Sequence, residues 1–249
     1  MSQLDLTLLC DPSTRAPLEL RGQTLIFGTS SYRIEEGIPV FAPAPEAANR
    51  KYQRLYDRLA PLYDFAEHTY QYIVRRDIRE FLAAELELRP RMRILEVSIG
   101  TGANLRLLPT DAEIHGLDLS MGMLRACRRN LRRHHREATI YQGEAERLPF
   151  RDNSFDLVFH VGGINFFSDR RKALEEMLRV ARPGTKLIVS DETERVVAGI
   201  YRRIPFVNRF FRMRTAPVVS PEVFLPSSVR DVRLTSVNHD RLYCLTFRK

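Results

Sequence analysis

Five short apolar runs alternate with amphipathic stretches through the middle of this chain. Residues 92–97, 113–118, 138–141, 155–160 and 186–190 each read as a buried strand. Between them, apolar residues recur at helical spacing. Parallel neighbours need a crossover of about a dozen residues or more, and these intervals suit one, so the pattern predicts an α/β fold with a doubly wound, mostly parallel sheet. Residues 231–237 and 241–247 alternate at period two and predict an antiparallel hairpin that closes the sheet. Ahead of the core, Tyr52, Leu55, Tyr56 and Leu59, then Tyr72, Ile73, Ile78, Phe81 and Leu82, predict helices over 50–89. Pro61 splits them and Pro90 closes the second. At the start, residues 4–9, 18–20, 25–27 and 31–34 predict short strands, and the Pro- and Ala-rich stretch 42–48 reads as a linker. The expected division is a small β-rich unit over 1–45 and a core domain over 46–249, with a helical lid drawn from 50–75 and 195–225.

The most specific chemistry lies where the first core strand ends. From Ile94 to Leu105 the chain reads I-L-E-V-S-I-G-T-G-A-N-L. Gly100 and Gly102 allow a sharp turn and close approach of the backbone to a ligand. Asn104 onward is expected to open a short helix whose amides face that ligand. Asp118 ends the next apolar run, where a carboxylate suits the two hydroxyls of a ribose. Leu105 stands where a nicotinamide dinucleotide fingerprint would carry its third glycine, and no Gly-Lys-Ser/Thr follows for a Walker loop. Glu96 would repel a phosphate and attract an ammonium or sulfonium. The ligand expected at this edge is a nucleoside-type cofactor with a cationic end.

This E-x-x-x-G-x-G pattern with a distal Asp resembles the class I S-adenosylmethionine-dependent methyltransferases. Later segments repeat the resemblance in order. Gln142 to Phe150, Q-G-E-A-E-R-L-P-F, is similar to the family's third motif, with Glu144 where the family usually has Asp. Ser154 to His160 resembles its fourth strand, and Leu178 to Gly184 resembles the turn before its fifth, with Thr185 replacing a usual glycine. Tyr56 to Asp64, Y-D-R-L-A-P-L-Y-D, is similar to the segment ahead of the core in the ubiquinone/menaquinone C-methyltransferase-like branch. The match covers roughly residues 50 to 190. It implies a Rossmann-like seven-stranded sheet whose last strand lies between the two before it. It also implies S-adenosylmethionine as cofactor and S-adenosylhomocysteine as product. The cofactor contacts it implies are Tyr63, Glu96, Ser98, Gly100, Thr101, Gly102, Asp118, Leu119, Met123, Glu144, Ala145 and His160. Residues 1–45 resemble a small zinc-ribbon-like domain fused to some methyltransferases. A zinc site needs four Cys or His ligands. Of such ligands only Cys10 remains, so a metal-free unit is expected.

Methyl transfer from a sulfonium is an in-line displacement. Holding donor and acceptor in line supplies about 7–11 kcal/mol, with no metal or covalent nucleophile required. Tyr63 is expected near the sulfonium, where cation–π attraction is about 0.5–2 kcal/mol, with Tyr56 as substitute. His160 ends the fourth strand and is a candidate general base, against a purely structural role. Asp191, with Glu192 and Asn165, is similarly placed to orient an acceptor, against a solvated loop. Met123 is expected to pack on the adenine, against ordinary helix core.

Composition narrows the picture further. Cys10, Cys127 and Cys244 are odd in number and far apart, which argues against a disulfide framework and for a reducing cytoplasm. No apolar run reaches spanning length, and the first residues lack a secretion signal. A formal charge of +8 and a pI near 9.7 imply an anionic partner of some kind. Arg125, Arg128, Arg129, Arg132, Arg133 and Arg136 crowd one helix, as a solvated face or as a contact for membrane or RNA. Residues 195–214 mix arginines with Phe206, Phe210 and Phe211, which suits an apolar lid and peripheral contact with a bilayer. The expected function is methylation of a lipophilic or aromatic small molecule. Two rivals are an RNA-modifying methyltransferase and a cofactor-binding protein of this fold that catalyses a rearrangement. Nucleic acid is less favoured because no RNA-binding module is recognisable. The oligomeric state stays open.

Overall fold

In a computed structural model the described residues are 4–42, 44–45, 49–50, 52–58, 60, 76–199 and 220–249. Tyr63, Pro61 and most of the 195–214 segment therefore lie outside the described residues.

The core is a seven-stranded sheet. Its strands are β5 (Arg93–Val97), β6 (Glu113–Asp118), β7 (Thr139–Gln142), β8 (Leu157–Val161), β9 (Lys186–Glu192), β10 (Arg230–Val237) and β11 (Leu242–Arg248), in the order β10-β11-β9-β8-β5-β6-β7. Strands β5 to β9 are parallel, and β11 runs antiparallel to both β9 and β10. The closing hairpin thus forms as expected, with the last strand inserted between β9 and β10. Strand β5 sits at the switch point, where crossovers leave in opposite directions and ligands bind such sheets. Its alternate residues feed two apolar clusters. Leu95 and Val97 join Leu117, Tyr141, Val158, Val189 and Leu245 on one face. Ile94 joins Ile99, Ile114, Phe159, Ile188 and Cys244 on the other. Burial on both faces is why these strands read as continuous apolar runs.

Helix α1 (Arg76–Glu85) precedes β5, and residues 49, 50, 52–58 and 60 are also helical. Helix α2 (Met121–Arg133) follows β6. Its N-cap Ser120 accepts from the Met123 amide at 3.1 Å. Helix α3 (Arg170–Val180) is capped in the same way by Asp169, which accepts from the Lys172 amide at 3.0 Å. Such caps stabilise by about 1 kcal/mol each, and their placement fixes where each helix springs from the sheet edge. A short α4 (Glu194–Gly199) follows β9.

Residues 19–39 form an antiparallel sheet of β1 (Glu19–Arg21), β2 (Thr24–Phe27), β3 (Ser30–Glu35) and β4 (Ile38–Pro39). The strand expected over 4–9 does not form. Asp5 Oδ1 accepts from the Thr7 amide at 2.9 Å and from its hydroxyl at 2.6 Å. That local turn competes with extended pairing. Leu9 instead makes an isolated bridge to Phe150. The unit packs closely on the core. Leu8, Leu9, Leu18, Leu25 and Phe41 belong to the same cluster as Leu95 and Val97, and Val40 pairs in parallel with Gln142 beyond the sheet edge. Its Asp11 carboxylate gathers the Ser13 amide, the Thr14 amide and the Tyr32 hydroxyl at 2.7–2.9 Å. Among the described residues no group of three or more His, Cys, Asp or Glu is arranged to hold a metal ion. Glu36, in the turn before β4, pairs with Arg125 at 2.9 Å and with Arg128. Arg136 donates to the Leu108 and Pro109 carbonyls at 2.9 and 3.2 Å. Three of the six arginines are therefore engaged within the protein, and Arg136, expected on the same helix, lies beyond its end at Arg133. No helix among the described residues is long and apolar enough to cross a membrane.

Candidate active site

Five parallel strands deliver their carboxyl ends to one edge, and the residues singled out in the sequence collect there. Asp118 closes β6 and is buried. Its Oδ2 accepts from the Gly100 amide and its Oδ1 from the Ser120 amide, both at 2.8 Å. Each oxygen keeps a further lone pair, so two neighbouring hydroxyls still find acceptors. Burial pushes the carboxyl up to about 6 against the pull of those two amides. Gly100 has φ +56, and a Cβ added there would meet nothing within 4 Å, which leaves an open cradle above the loop. At Gly102, φ is +78 and a Cβ would lie 2.9 Å from both Cys127 Sγ and Leu105 Cδ1. One glycine opens the site and the other lets the loop close onto α2. Ser98 holds φ +61, a left-handed conformation that costs about 1–2 kcal/mol outside glycine. The helix expected from Asn104 is only a single 3-10 turn over Leu105–Leu107. The Asn104 amide group points back to Glu96 rather than capping, and Pro109 stops any continuation.

Glu96 lies on the opposite sheet face from Leu95. Its Oε1 accepts from Asn104 Nδ2 at 2.7 Å, and its Oε2 is buried with no partner among the described residues. Burial pushes its carboxyl up to about 8, and the nearby Asp118 charge adds to this. An orphaned buried carboxyl oxygen beside an open glycine cradle and a ribose-type carboxylate fits the ammonium end, the sulfonium and the sugar of S-adenosylmethionine. A sign follows for pH. At pH 7, below its value of about 8, Glu96 carries a proton in the free protein. A cationic ammonium beside it favours the carboxylate, so binding expels that proton. Calorimetry at pH 7 should show a binding enthalpy that varies with buffer ionisation enthalpy, equivalent to about one proton released. Glu96→Gln should remove that dependence and weaken affinity about tenfold. A buffer-independent enthalpy for the wild-type protein would refute this role.

Beyond β7, Glu144 is buried and accepts from Asn49 Nδ2 at 2.9 Å. Asn49 Oδ1 in turn accepts from the Ser168 amide at 3.2 Å, and Glu146 accepts from the same amide at 2.8 Å. Ala145, its neighbour in sequence, and Met123 on α2 are also buried. The Leu119 carbonyl accepts from Gln53 Nε2 at 3.3 Å and from Gln142 Nε2 at 3.0 Å. Asn130 Nδ2 holds the Thr101 carbonyl at 3.0 Å. The helical residues 52–58 dock here through Asp57, whose Oδ1 accepts from the Ser120 hydroxyl at 2.6 Å and the Gly122 amide at 2.9 Å. Tyr52 and Tyr56 lie on Phe166 with ring centroids 4.9 and 6.3 Å apart. Tyr56 therefore joins an aromatic cover over the edge. Tyr63, the first choice for that place, lies outside the described residues.

His160 is fully buried near the end of β8. Its Nδ1 lies 2.9 Å from the Val97 carbonyl. A carbonyl only accepts, so Nδ1 carries the proton and Nε2 presents a bare lone pair. That Nε2 has no partner among the described residues, and burial pushes the imidazole down to about 4. The ring packs edge-on against Phe167 at 5.1 Å. Asp191, near the end of β9, accepts from Asn165 Nδ2 at 3.0 Å and from the Glu192 amide at 2.8 Å.

The loop after β5, Asp118, the 144–146 turn, His160 and Asp191 thus meet at one edge. Sequence reading missed Asn49 and Tyr243, which stands opposite Asp191 on β11, and it named Asp57 and Gln142 only as members of longer motifs, with no role for either. Asn49 and Tyr243 are polar residues in ordinary contexts, and nothing in their spacing marks them. Only a three-dimensional contact brings each to the edge.

Residues 95–189 match a methyltransferase domain family. A ubiquinone/menaquinone biosynthesis C-methyltransferase of Geotalea daltonii is 30% identical over 198 residues, covering 72% of this chain and 80% of the relative. One of the same description from Syntrophotalea carbinolica is 35% identical over 154 residues, and the match spans 59% of this chain and 65% of that protein. A SAM-dependent methyltransferase of Aquifex aeolicus superimposes with a TM-score of 0.52 at 17% identity, covering 80% of this chain and 97% of that one, which is a likeness of fold. A relative matched across four-fifths of its own length, over the sheet and loops that carry the glycine turn and the strand-end carboxylates, places the chain in the S-adenosylmethionine-dependent ubiquinone/menaquinone C-methyltransferase family.

Proposed function

We propose that this protein methylates a ring carbon of a lipophilic hydroquinone, with His160 as the base that activates it. The observation that carries this reading is the buried, unpartnered Nε2 of His160, fixed as an acceptor by the bond from Nδ1 to Val97. When bound, S-adenosylmethionine supplies a methyl group on a sulfonium and departs as S-adenosylhomocysteine. Asp118 takes the ribose hydroxyls, Glu96 the ammonium end, and Glu144 the adenine amino group. Ser98, Thr101 and Leu119 line the path with backbone, and Met123 and Ala145 flank the base. Tyr63 or Tyr56 closes over the sulfonium.

His160 Nε2 accepts the hydroxyl proton of the acceptor. Electron density then rises on the adjacent ring carbon, the atom that takes the methyl. That carbon's own proton then leaves to solvent and the imidazolium returns its proton to the ring oxygen, which restores the aromatic hydroquinone and the neutral base and leaves one net proton released. An imidazole at about 4 is a weak base alone, but the phenolate formed beside it is an opposite charge that favours the protonated ring. Asp191 and Asn165 orient the acceptor. The names of the relatives, which act in quinone biosynthesis, agree with an acceptor of this class.

The acceptor's greasy nature brings the protein to a bilayer surface, and the basic and aromatic segment 195–214 is the contact we propose. The 1–45 unit serves without metal. It is a support for the cofactor edge through Gln142, which receives the Ala42 amide at 3.1 Å and holds the Leu119 carbonyl. An RNA substrate loses support from the internal pairing of Arg125, Arg128 and Arg136.

The test is direct. The purified protein, given S-adenosylmethionine, should methylate reduced 1,4-dihydroxynaphthalene on carbon and leave bulk RNA untouched. Methyl transfer to RNA, or cofactor binding with no transfer to any reduced naphthoquinone, would overturn the reading.

A further inference from the structure

Three buried polar atoms at the carboxyl edge of the sheet have no partners among the described residues: His160 Nε2 and Tyr243 Oη on its strands, and Asn165 Oδ1 on the 3-10 turn after β8. The register places His160 and Tyr243 on one face, and Asn165 reaches it by its bond to Asp191. His160 stands opposite Val189, and Asp191, two residues on, stands opposite Tyr243 on β11. Residues opposite one another in neighbouring strands, and those two apart in one strand, point the same way. The run His160, Val189, Asp191, Tyr243 therefore crosses three adjacent strands on a single face. Neighbouring strands are about 4.8 Å apart, so His160 and Tyr243 bracket a region about 10 Å wide.

The polar groups between them are held in place. Asn165 gives its Nδ2 to Asp191 Oδ2 at 3.0 Å. Because a carboxylate only accepts, this fixes the amide so that Oδ1 is the unpartnered end. Arg170 Nη2 holds the Asn165 carbonyl at 3.5 Å. The Ser190 hydroxyl donates to the Tyr243 carbonyl at 2.7 Å and pins that backbone. Tyr243 is only 6% exposed. A buried hydroxyl or amide oxygen left unpaired costs about 1–3 kcal/mol, and such groups persist where a ligand completes them.

We propose that Asn165 and Tyr243, joined through Asp191, form a second subsite that recognises the acceptor oxygen remote from His160, so that the protein selects rings carrying two oxygens over rings carrying one. The proposal rests on the hydroquinone reading above. His160 takes the proton of the first oxygen. The second donates to Asn165 Oδ1 and receives from the Tyr243 hydroxyl. Asn165 and Tyr243 are specificity residues here, and neither handles the transferred methyl. A site built to hydrogen-bond a hydroxyl rejects analogues that lack it, because its own groups are then left unpaired.

Tyr243→Phe removes only the unpartnered oxygen, so folding and thermal stability should be unchanged or slightly improved. The measurement is calorimetric binding of 1,4-dihydroxynaphthalene and of 1-naphthol, under reducing agent, to protein saturated with S-adenosylhomocysteine. Wild-type protein should prefer the diol about tenfold, and Tyr243→Phe should lose that preference while binding 1-naphthol as before. Asn165→Leu should act in the same direction. Equal affinity of wild-type protein for the two ligands, or a preference that survives in Tyr243→Phe, overturns the subsite. Preferential binding of the diol without methyl transfer would sink the functional reading and leave the subsite standing. Binding of neither ligand would sink both.

Discussion

Asp118→Ala is expected to weaken S-adenosylmethionine binding by about 10²–10⁴-fold. Two hydrogen bonds from ribose hydroxyls to a carboxylate contribute about 1.5–3 kcal/mol each, and both are lost together. The same change also strips the Gly100 and Ser120 amides of their acceptor at 2.8 Å, so the glycine loop loses its anchor. Asp118→Asn separates the two effects, since one amide oxygen still serves the loop while the charge is gone. Calorimetric titration of all three proteins checks this, and affinity within threefold of wild type in Asp118→Ala would rule out the ribose role. A pH dependence accompanies it. Asp118 titrates at about 6, and its protonated form has fewer acceptors, so affinity should be full above that value and fall as pH drops through it. For the free fold the sign is opposite. A carboxyl raised above its unfolded value of 3.8 binds its proton more tightly when folded, so ionising it between about 4 and 6 lowers stability. Bound cofactor offsets that loss.

His160→Ala should lower kcat by about 10²–10⁴-fold, the usual contribution of a positioned base. Cofactor affinity should change by less than threefold, because the unpartnered Nε2 serves the acceptor in this reading. Equal losses in cofactor binding and turnover would place His160 against the cofactor instead. The wild-type rate should show no inflection from this imidazole between pH 5 and 8, since in the free protein it stays neutral until about pH 4. A limb near 6.5 in kcat at saturating S-adenosylmethionine, where the Asp118 effect on affinity is removed, would contradict its burial.

Much of the fold was legible before the structure. The five parallel strands were readable because each is buried on both faces, so its centre is mostly apolar and its polar residues gather toward the ends. The closing hairpin was read from period-two alternation, although in the fold β10 is exposed along most of its length and β11 is buried along most of its own. Gly100, Gly102 and Asp118 were legible because a tight turn and a strand-end carboxylate leave local marks. The failures were also local. Asp5 folds its side chain onto Thr7 where hydrophobic pattern alone suggested a strand. Asn104 serves Glu96 instead of starting a helix.

What the sequence determined by itself was the class of sheet, the identity of the nucleoside-binding loop and the family, because these rest on periodicity and on short contiguous motifs. Only tertiary structure decided how the edge is wired. Asp57 reaches α2 from 63 residues before Ser120. Asn49 meets Glu144 across 95 residues. Tyr243 stands opposite Asp191 because an antiparallel strand was inserted beside β9. The tautomer of His160 was likewise set by a carbonyl on the neighbouring strand, 63 residues away. Contacts of that range depend on register and crossover geometry, which a one-dimensional pattern of polar and apolar residues does not encode.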